Sequence, residues 1–348
     1  MRNPAFFCPH CSLKLVIPHF DLKKPQVCPH CHFKTLGKHF FSFSEQEFSS
    51  DLFPIDPKKM KILSAELALK YLHEGKVLEK VWIKNLNLSH QKFSFPLQFS
   101  ACVLKDFLCF GTVFTKPVSF KDTYFEGRTF LGALYDEQQN PLEEAVIFQE
   151  DVCFKGSVFE GDWFFFSEAY FGKNLSMPAV SCACPIYLED IYVGGHFDLK
   201  EATFAKEFYL NDSKIKENFS LNEASFAGPS NFSKCQFLQD NHFSSVHFGD
   251  YTSFESATFR GDTYFPEARF ASDVSFQQTA FKGIAYFNES YFAKNVLFHQ
   301  TRFHSLASFQ NTTFKGKVDF GTAIFQGERY YSPENGALLD EDEDLGSD

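Results

Sequence analysis

Residues 248–276 read FGDYTSFESATFRGDTYFPEARFASDVSF, and the six Phe at 248, 254, 259, 265, 270 and 276 return at alternating steps of six and five. Followed outward, this becomes two interleaved rows, each of period eleven. One row reads Phe226, Phe237, Phe248, Phe259, Phe270, Phe281, Phe292, Phe303, Phe314 and Phe325. The other reads Phe232, Phe243, Phe254, Phe265, Phe276, Phe287, Phe298, Phe309 and Phe320. Toward the N-terminus the rows continue through Ile215, Phe204, Val193 and Cys182, and through Leu221, Leu210, Leu199, Leu188 and Met177, without meeting a polar residue.

Two residues before each anchor the chain is usually small or β-branched, as at Ala202, Ala224, Cys235, Val246, Thr252, Ala257, Thr263 and Thr279; Asn241 and the bulky Phe197, Phe208 and Phe219 break the rule. Residues i and i−2 share one side of an extended segment, so each unit is a very short strand with one large and one small inward residue. Four such sides joined at corners close a coil of 22 residues, and stacked coils pair at about 4.8 Å. Residues 177–327 then make about seven coils, rising on the order of 30 Å. The sixth residue falls after the first row, where Gly228, Gly261, Gly283, Gly316 and Gly327 predict corners with positive φ.

The same grammar, less regular, runs through Ile83, Leu88, Phe93, Phe99, Leu104, Phe110, Phe114, Phe120, Phe125 and Phe130, and resumes at Phe148, Phe154, Phe159, Phe165 and Phe171. Residues 132–145, GALYDEQQNPLEEA, are polar and predict a loop leaving the coil, with a helical turn after Pro141. The slipped spacing between Phe159 and Met177 predicts a bulge or widened coil around Trp163 to Pro178.

The region 80–330 resembles the Phe-rich pentapeptide-repeat proteins, on the strength of the small-x-Phe units and the eleven-residue double repeat. That resemblance implies an all-β, right-handed, quadrilateral β-helix. Some of these proteins mimic duplex DNA and bind DNA gyrase, so it also implies a topoisomerase-protecting alternative.

Cys8-Pro-His-Cys11 and Cys28-Pro-His-Cys31 are two CxxC hooks with 16 residues between them, the spacing of a four-cysteine site for structural Zn2+. A segment of about 40 residues buries little core, so ligation would supply most of its folding free energy. Rubredoxin-type iron competes for the same sulfurs, and disulfides or free thiols are the plainer reading. The segment resembles a zinc ribbon of the rubredoxin-knuckle type, with Ser12 and His32 where Gly often follows the second Cys. Lys14, Lys23, Lys24, Lys34 and Lys38 make it basic, which permits a nucleic-acid contact, although no aromatic residues alternate with the charges.

The domain reading is a ribbon over 1–40, a linker over 41–56, a capping helix over 57–75, the β-helix over 76–331 and a disordered acidic tail over 332–348. Asp56-Pro57 reads as N-cap and first helical position, and Gly75 as the stop. No run approaches the roughly 18 apolar residues of a membrane span, and the start offers no long apolar leader, so a cytoplasmic protein without membrane contact is expected. The chain carries 33 Lys+Arg against 44 Asp+Glu, with nine basic and five acidic side chains in residues 1–61 and six acidic ones in 340–348.

Nothing assembles a nucleophile, a base or an open metal position, so no enzyme is expected. His242, His247, His299 and His304 read as outward or corner residues, Cys102, Cys182 and Cys235 as small core residues, and Cys109 and Cys184 stay open between core and surface. A protein–protein interaction scaffold is the leading reading, with docking of nucleic acid through the ribbon as a third. Tyr330 and Tyr331 either cap the last coil or meet a second copy, giving a homodimer through the C-terminal coil.

Overall fold

The computed structural model describes residues 60–135 and 141–331 and, before these, five short strands at Ala5–Phe7, Lys14–Leu15, Pro25–Val27, Lys34–Leu36 and Phe41–Phe43. The chain forms two units, Met1–Asp56 and Pro57–Asp348. In the first, Ala5–Phe7 pairs antiparallel with both Lys14–Leu15 and Phe41–Phe43, and Pro25–Val27 pairs antiparallel with Lys34–Leu36. The tail 332–348 and most of the linker 41–56 lie outside the described residues.

The second unit is a parallel β-solenoid with four faces. Within one coil the chain passes through Phe197–Asp198 on the first face, Thr203–Phe204 on the second, Phe208–Tyr209 on the third and Lys214–Ile215 on the fourth. It returns to the first face at Phe219–Ser220, where Phe219 pairs with Phe197 and Ser220 with Asp198. The first face stacks twelve strands, from Leu78–Glu79 to Arg329–Tyr331, which is a rise of roughly 50 Å at the strand spacing.

Both Phe rows point inward, as the alternation requires. The four columns hold near-parallel rings: Phe226 on Phe248 at 5.1 Å, Phe232 on Phe254 at 5.0 Å, Phe237 on Phe259 at 4.9 Å and Phe243 on Phe265 at 4.4 Å. Rings of neighbouring columns meet edge to face, as Phe276 and Phe287 do at 81°. Both geometries suit the aromatic quadrupole, so one residue type fills the bore in two directions. The small positions do more than save space. Thr279, Thr301 and Thr312 donate their hydroxyls to the carbonyls of Phe254, Phe276 and Phe287 in the preceding coil, at 2.7, 2.6 and 2.7 Å.

The corners differ from the expectation. From Ala179 to Thr322 every eleventh residue has φ between 53° and 61°, and none of these residues is Gly. They follow the second row, where Ala202 N–H closes a turn on the Leu199 carbonyl and Glu201, the third residue of that turn, is left-handed. Gly261 and Gly283 follow the first row and do not have positive φ. They are small because a Cβ on Gly283 would stand 2.5 Å from the Gly261 carbonyl of the coil below. Lys206, Gln239 and Lys294 occupy the same place in other coils, so only these particular corners demand Gly.

Three further expectations are corrected. The helix is Ala65–His73, not 57–75. Ser64 caps it by accepting the Leu67 N–H, and Lys61–Leu63 ahead of it is a strand paired with Val81–Ile83. Extending the second face outcompetes the Pro57 start, and Gly75 (φ 68°) still ends the helix. Ala68 and Leu72 are buried against the first coil, and the His73 ring stacks on Phe93 at 5.1 Å. The excursion at 132–145 contains an antiparallel pair, Leu134–Tyr135 with Pro141–Glu143, in place of a helical turn. An edge strand accepts Pro because it need not donate.

Finally, Phe130 and Phe165 are not core anchors. Val103–Leu108, Tyr124–Phe130 and Val158–Phe165 run continuously around the corner between the second and third faces, with register shifts at Lys105/Phe107 and Glu126/Arg128. The phase therefore slips by one, burying Cys109, Leu131 and Phe166 and leaving Phe130 and Phe165 half-buried on the outside.

Candidate functional site

The expected metal ligands Cys8, Cys11, Cys28 and Cys31 lie outside the described residues. The strands around them are described. Phe7 pairs with Lys14 and Val27 with Lys34, so each antiparallel pair is separated by six residues of sequence, and the hook cysteines are the first and fourth of them in both cases. Among the described residues no group of three or more His, Cys, Asp and Glu side chains is placed to hold a metal.

The described histidines serve local packing. His242 stacks on Tyr264, His304 meets Lys282 Nζ at 2.8 Å, and His299 Nδ1 lies 3.4 Å from Thr322 Oγ1. Burial first, then Arg269, holds His247 below the usual imidazole range. The thiols of Cys102, Cys109, Cys182, Cys184 and Cys235 are all buried. Burial pushes Cys109 up to about 12 and raises Cys235 and Cys182, which keeps them protonated and unreactive.

What the coil offers is its outer surface. Outward positions on the fourth face carry Lys92, Val113, Ile147, Tyr170, Tyr192, Lys214, Gln236, Thr258, Ala280, Arg302 and Ile324, with no carboxylate in the column. On the first face the matching column from Ser176 to Tyr330 has Asp198 as its one acid. Carboxylates gather at the left-handed corners instead: Glu201, Glu223, Glu267 and Glu289 on one edge, Glu168, Asp190 and Asp212 on another.

The third face carries an aromatic column. Phe130, Phe165, Tyr187 and Tyr209 lie in register on successive coils, with ring centroids 5.9, 5.9 and 5.2 Å apart. Trp163, 39% exposed, stands edge-on to Phe130 at 6.0 Å. Beyond Tyr209 the column shrinks to Asn231, Ser253 and Ser275, opening a recess of ≈ 440 Å³ lined by Tyr209, Pro229, Tyr251, Lys234 and Glu255. Burial, then Glu168 and Asp212, raises the Asp190 carboxyl. Tyr187 and Tyr209 are raised mainly by burial, with Glu207 and Glu189 adding to it. Treating every Phe as an anchor hides this row. The run Trp163-Phe-Phe-Phe166 discloses it, because successive residues of a strand point to opposite sides and cannot all face the core.

No curated protein matches the chain. A solved alginate lyase, AlyF-OU02 in complex with G6, is similar at 9% identity over 82% of this chain and 89% of its own, with a TM-score of 0.21, too low to carry an argument. Residues 243–290 match the family model described as Pentapeptide repeats (9 copies), and this stretch lies within the regular coils where both Phe rows are unbroken.

Proposed function

We propose that this protein is a non-catalytic protein–protein interaction scaffold: a rod whose interior is committed to ring stacking and whose outer rows meet a partner. The observation that carries this is the contrast between the two sides of each strand. Inward positions repeat Phe, while the outward position beside them varies, from Asn231 to Leu297 and Asp319 on the third face alone, with the small, buried Ser253 and Ser275 between them. A surface freed from folding constraints can be shaped for recognition. The strand pair Leu134–Tyr135 and Pro141–Glu143 is tied to the coil: Tyr135 donates to Glu168 at 2.7 Å, and Glu143 lies 3.0 Å from His90.

Zinc held by Cys8, Cys11, Cys28 and Cys31 fits this reading as a structural ion. The identical placement of both hooks between paired strands supports it, as do the free thiols elsewhere, which suit the reducing cytoplasm. The gyrase-binding alternative needs a face lined mainly by Asp and Glu, whereas the outward column of the fourth face has no acid and that of the first face, from Ser176 to Tyr330, only Asp198. Nucleic-acid docking through the ribbon predicts salt-sensitive retention of DNA or RNA by the full chain, and no retention at low salt removes it.

Affinity capture tests the scaffold reading. A stoichiometric protein retained by the full chain, and lost from a chain lacking 133–144 or from one with altered outward residues, is expected. Capture of no protein in stoichiometric amount overturns it.

A further inference from the structure

We infer that the C-terminal coils of the acid-free fourth face hold an acidic, extended segment, and that the chain's own residues 340–344, Asp-Glu-Asp-Glu-Asp, are its occupant. This goes beyond the scaffold reading and does not depend on it. Two outward columns run up this face. The first is the one described above. The second, two residues further along the chain in each coil, reads Lys216, Leu238, Arg260, Lys282, His304 and Gln326, each N–H bonded to an anchor carbonyl of the coil before. Neither column contains a carboxylate, in a chain with 44 Asp+Glu against 33 Lys+Arg. Charge also reverses along this side of the rod. The corner leading onto the face carries Glu168, Asp190 and Asp212 in earlier coils, then Ser256, Gln278, Gln300 and Thr322 in later ones. Beside those neutral residues stand Arg260, Lys282 and Arg302, all exposed.

These three cations have no counter-charge among the described residues. Elsewhere on the rod Lys200 pairs with Glu201 at 3.2 Å and Lys234 with Asp212 at 3.8 Å, whereas Arg260, Lys282 and Arg302 form no ion pair there. Asp240 and Asp262, past the opposite corner, are turned onto the backbone, accepting Asp262 N–H at 3.0 Å and Ile284 N–H at 2.8 Å. Lys282 Nζ lies 2.8 Å from His304 Nε2, which uses one N–H of the ammonium and leaves two. The amides at the corner are polarised. Ser256 donates to Gln278 Oε1 at 3.1 Å and Gln278 Nε2 to Gln300 Oε1 at 2.9 Å, so the row ends in the Gln300 amide nitrogen. Gln300 and Arg302 line a recess of ≈ 500 Å³ with Gln278, Thr322 and Ile324. Guanidinium and amide donors with no acid among them suit a carboxylate.

The tail supplies that chemistry within reach. The last strand, Arg329–Tyr331, lies on the face next to the fourth, and Ile324 is the register partner of Arg302 one coil below. Asp340 stands nine residues after Tyr331, and an extended chain of that length spans up to about 30 Å, more than the five or six residues that traverse one face. Five successive carboxylates tethered this close meet the cations at a high effective concentration, which a free acidic segment lacks.

The test is zero-length carbodiimide cross-linking of the full chain at low protein concentration and low salt, with monomer isolated by gel filtration and linked peptides mapped. An amide from Lys282 Nζ to a carboxyl within 340–344 is expected. Arg260→Gln with Arg302→Gln should lower its yield about threefold or more, as should salt at about 1 M, with an unchanged thermal midpoint showing the coil intact. Lys294, Lys315 and Lys317, exposed near the corner between the second and third faces, are the control, and their links to 340–344 should be several-fold rarer. No Lys282 link in the monomer, links confined to cross-linked dimers, equal linking of the control lysines, or a yield unmoved by the Arg variants each overturns the inference. None of these outcomes touches the scaffold reading, which stands or falls on affinity capture.

Discussion

Phe254 and Phe276 stand 22 residues apart in sequence and face to face in space, with ring centroids 5.0 Å apart and planes 3° from parallel. Phe298 continues the stack at 5.2 Å, and Phe265 and Phe287 present their edges to Phe276 at 5.9 and 5.5 Å. Phe276 is thus enclosed on every side by rings that are themselves held by the next coils. Phe276→Ala should cost about 3–5 kcal/mol in denaturant unfolding, because the neighbours cannot collapse into the hole. Phe276→Leu should cost less than about 1.5 kcal/mol. An Ala variant as stable as the Leu variant would contradict the packing.

The hydroxyl of Thr301 reaches the Phe276 carbonyl at 2.6 Å, and the Thr279 N–H reaches the same oxygen at 3.0 Å. Since one partner survives, Thr301→Val should cost about 1 kcal/mol and not the full penalty of a bare carbonyl. Thr301→Ser should fall between Thr and Val. Thermal melts of the three proteins check the order.

The two corner types predict opposite responses to small changes. Gly283→Ala forces a Cβ against the Gly261 backbone and should destabilise by about 1–3 kcal/mol. Gln278→Gly, at a left-handed residue with φ 56°, should change stability by less than about 1 kcal/mol, because relief of strain offsets the added freedom of the unfolded chain. The reverse order would mean that positive φ, not close approach, selects Gly in this coil.

His247 has its imidazole lowered by burial, with Arg269 adding to it, relative to an ordinary value of 6.5. The unfolded chain therefore binds this proton more readily than the folded one. Stability contributed by the neutral ring is present above about pH 6.5 and is lost as pH falls toward the folded value. His247→Gln should flatten the wild-type loss of stability between neutral and mildly acidic pH. An identical pH profile in the variant would count against a buried neutral ring.

Metal analysis of the purified full chain should find about one zinc ion per molecule, with Cys8→Ser and Cys28→Ser each reducing it. Iron with a thiolate absorption band would identify the competing occupant. A metal-free chain would remove the ribbon reading.

The regular coils were legible because a 22-residue coil writes its interior at fixed positions, and from Phe226 to Phe325 those positions hold one residue type. Three features were not. The left-handed corners carry Glu, Asp, Gln and Ser, which look like ordinary surface residues. The helix start at Ser64 was masked by the stronger Asp56-Pro57 signal, since strand addition at Lys61–Leu63 is a tertiary effect. The outer row reads as core because Phe130 and Phe165 match an anchor in type, and only the bulged second-to-third corner shows that they face out.

The coil is parallel and in register every 22 residues. Ser253 and Ser275 are register partners on adjacent strands of the third face, and Leu297 is one coil further on. Mild oxidation of the full chain carrying Ser253→Cys and Ser275→Cys, followed by peptide mapping, should show a cross-link between those two positions. Ser253→Cys with Leu297→Cys should give none, since two strand spacings, roughly 9.6 Å, exceed what a disulfide spans. Cross-linking of the second pair without the first would contradict the 22-residue register and everything built on it.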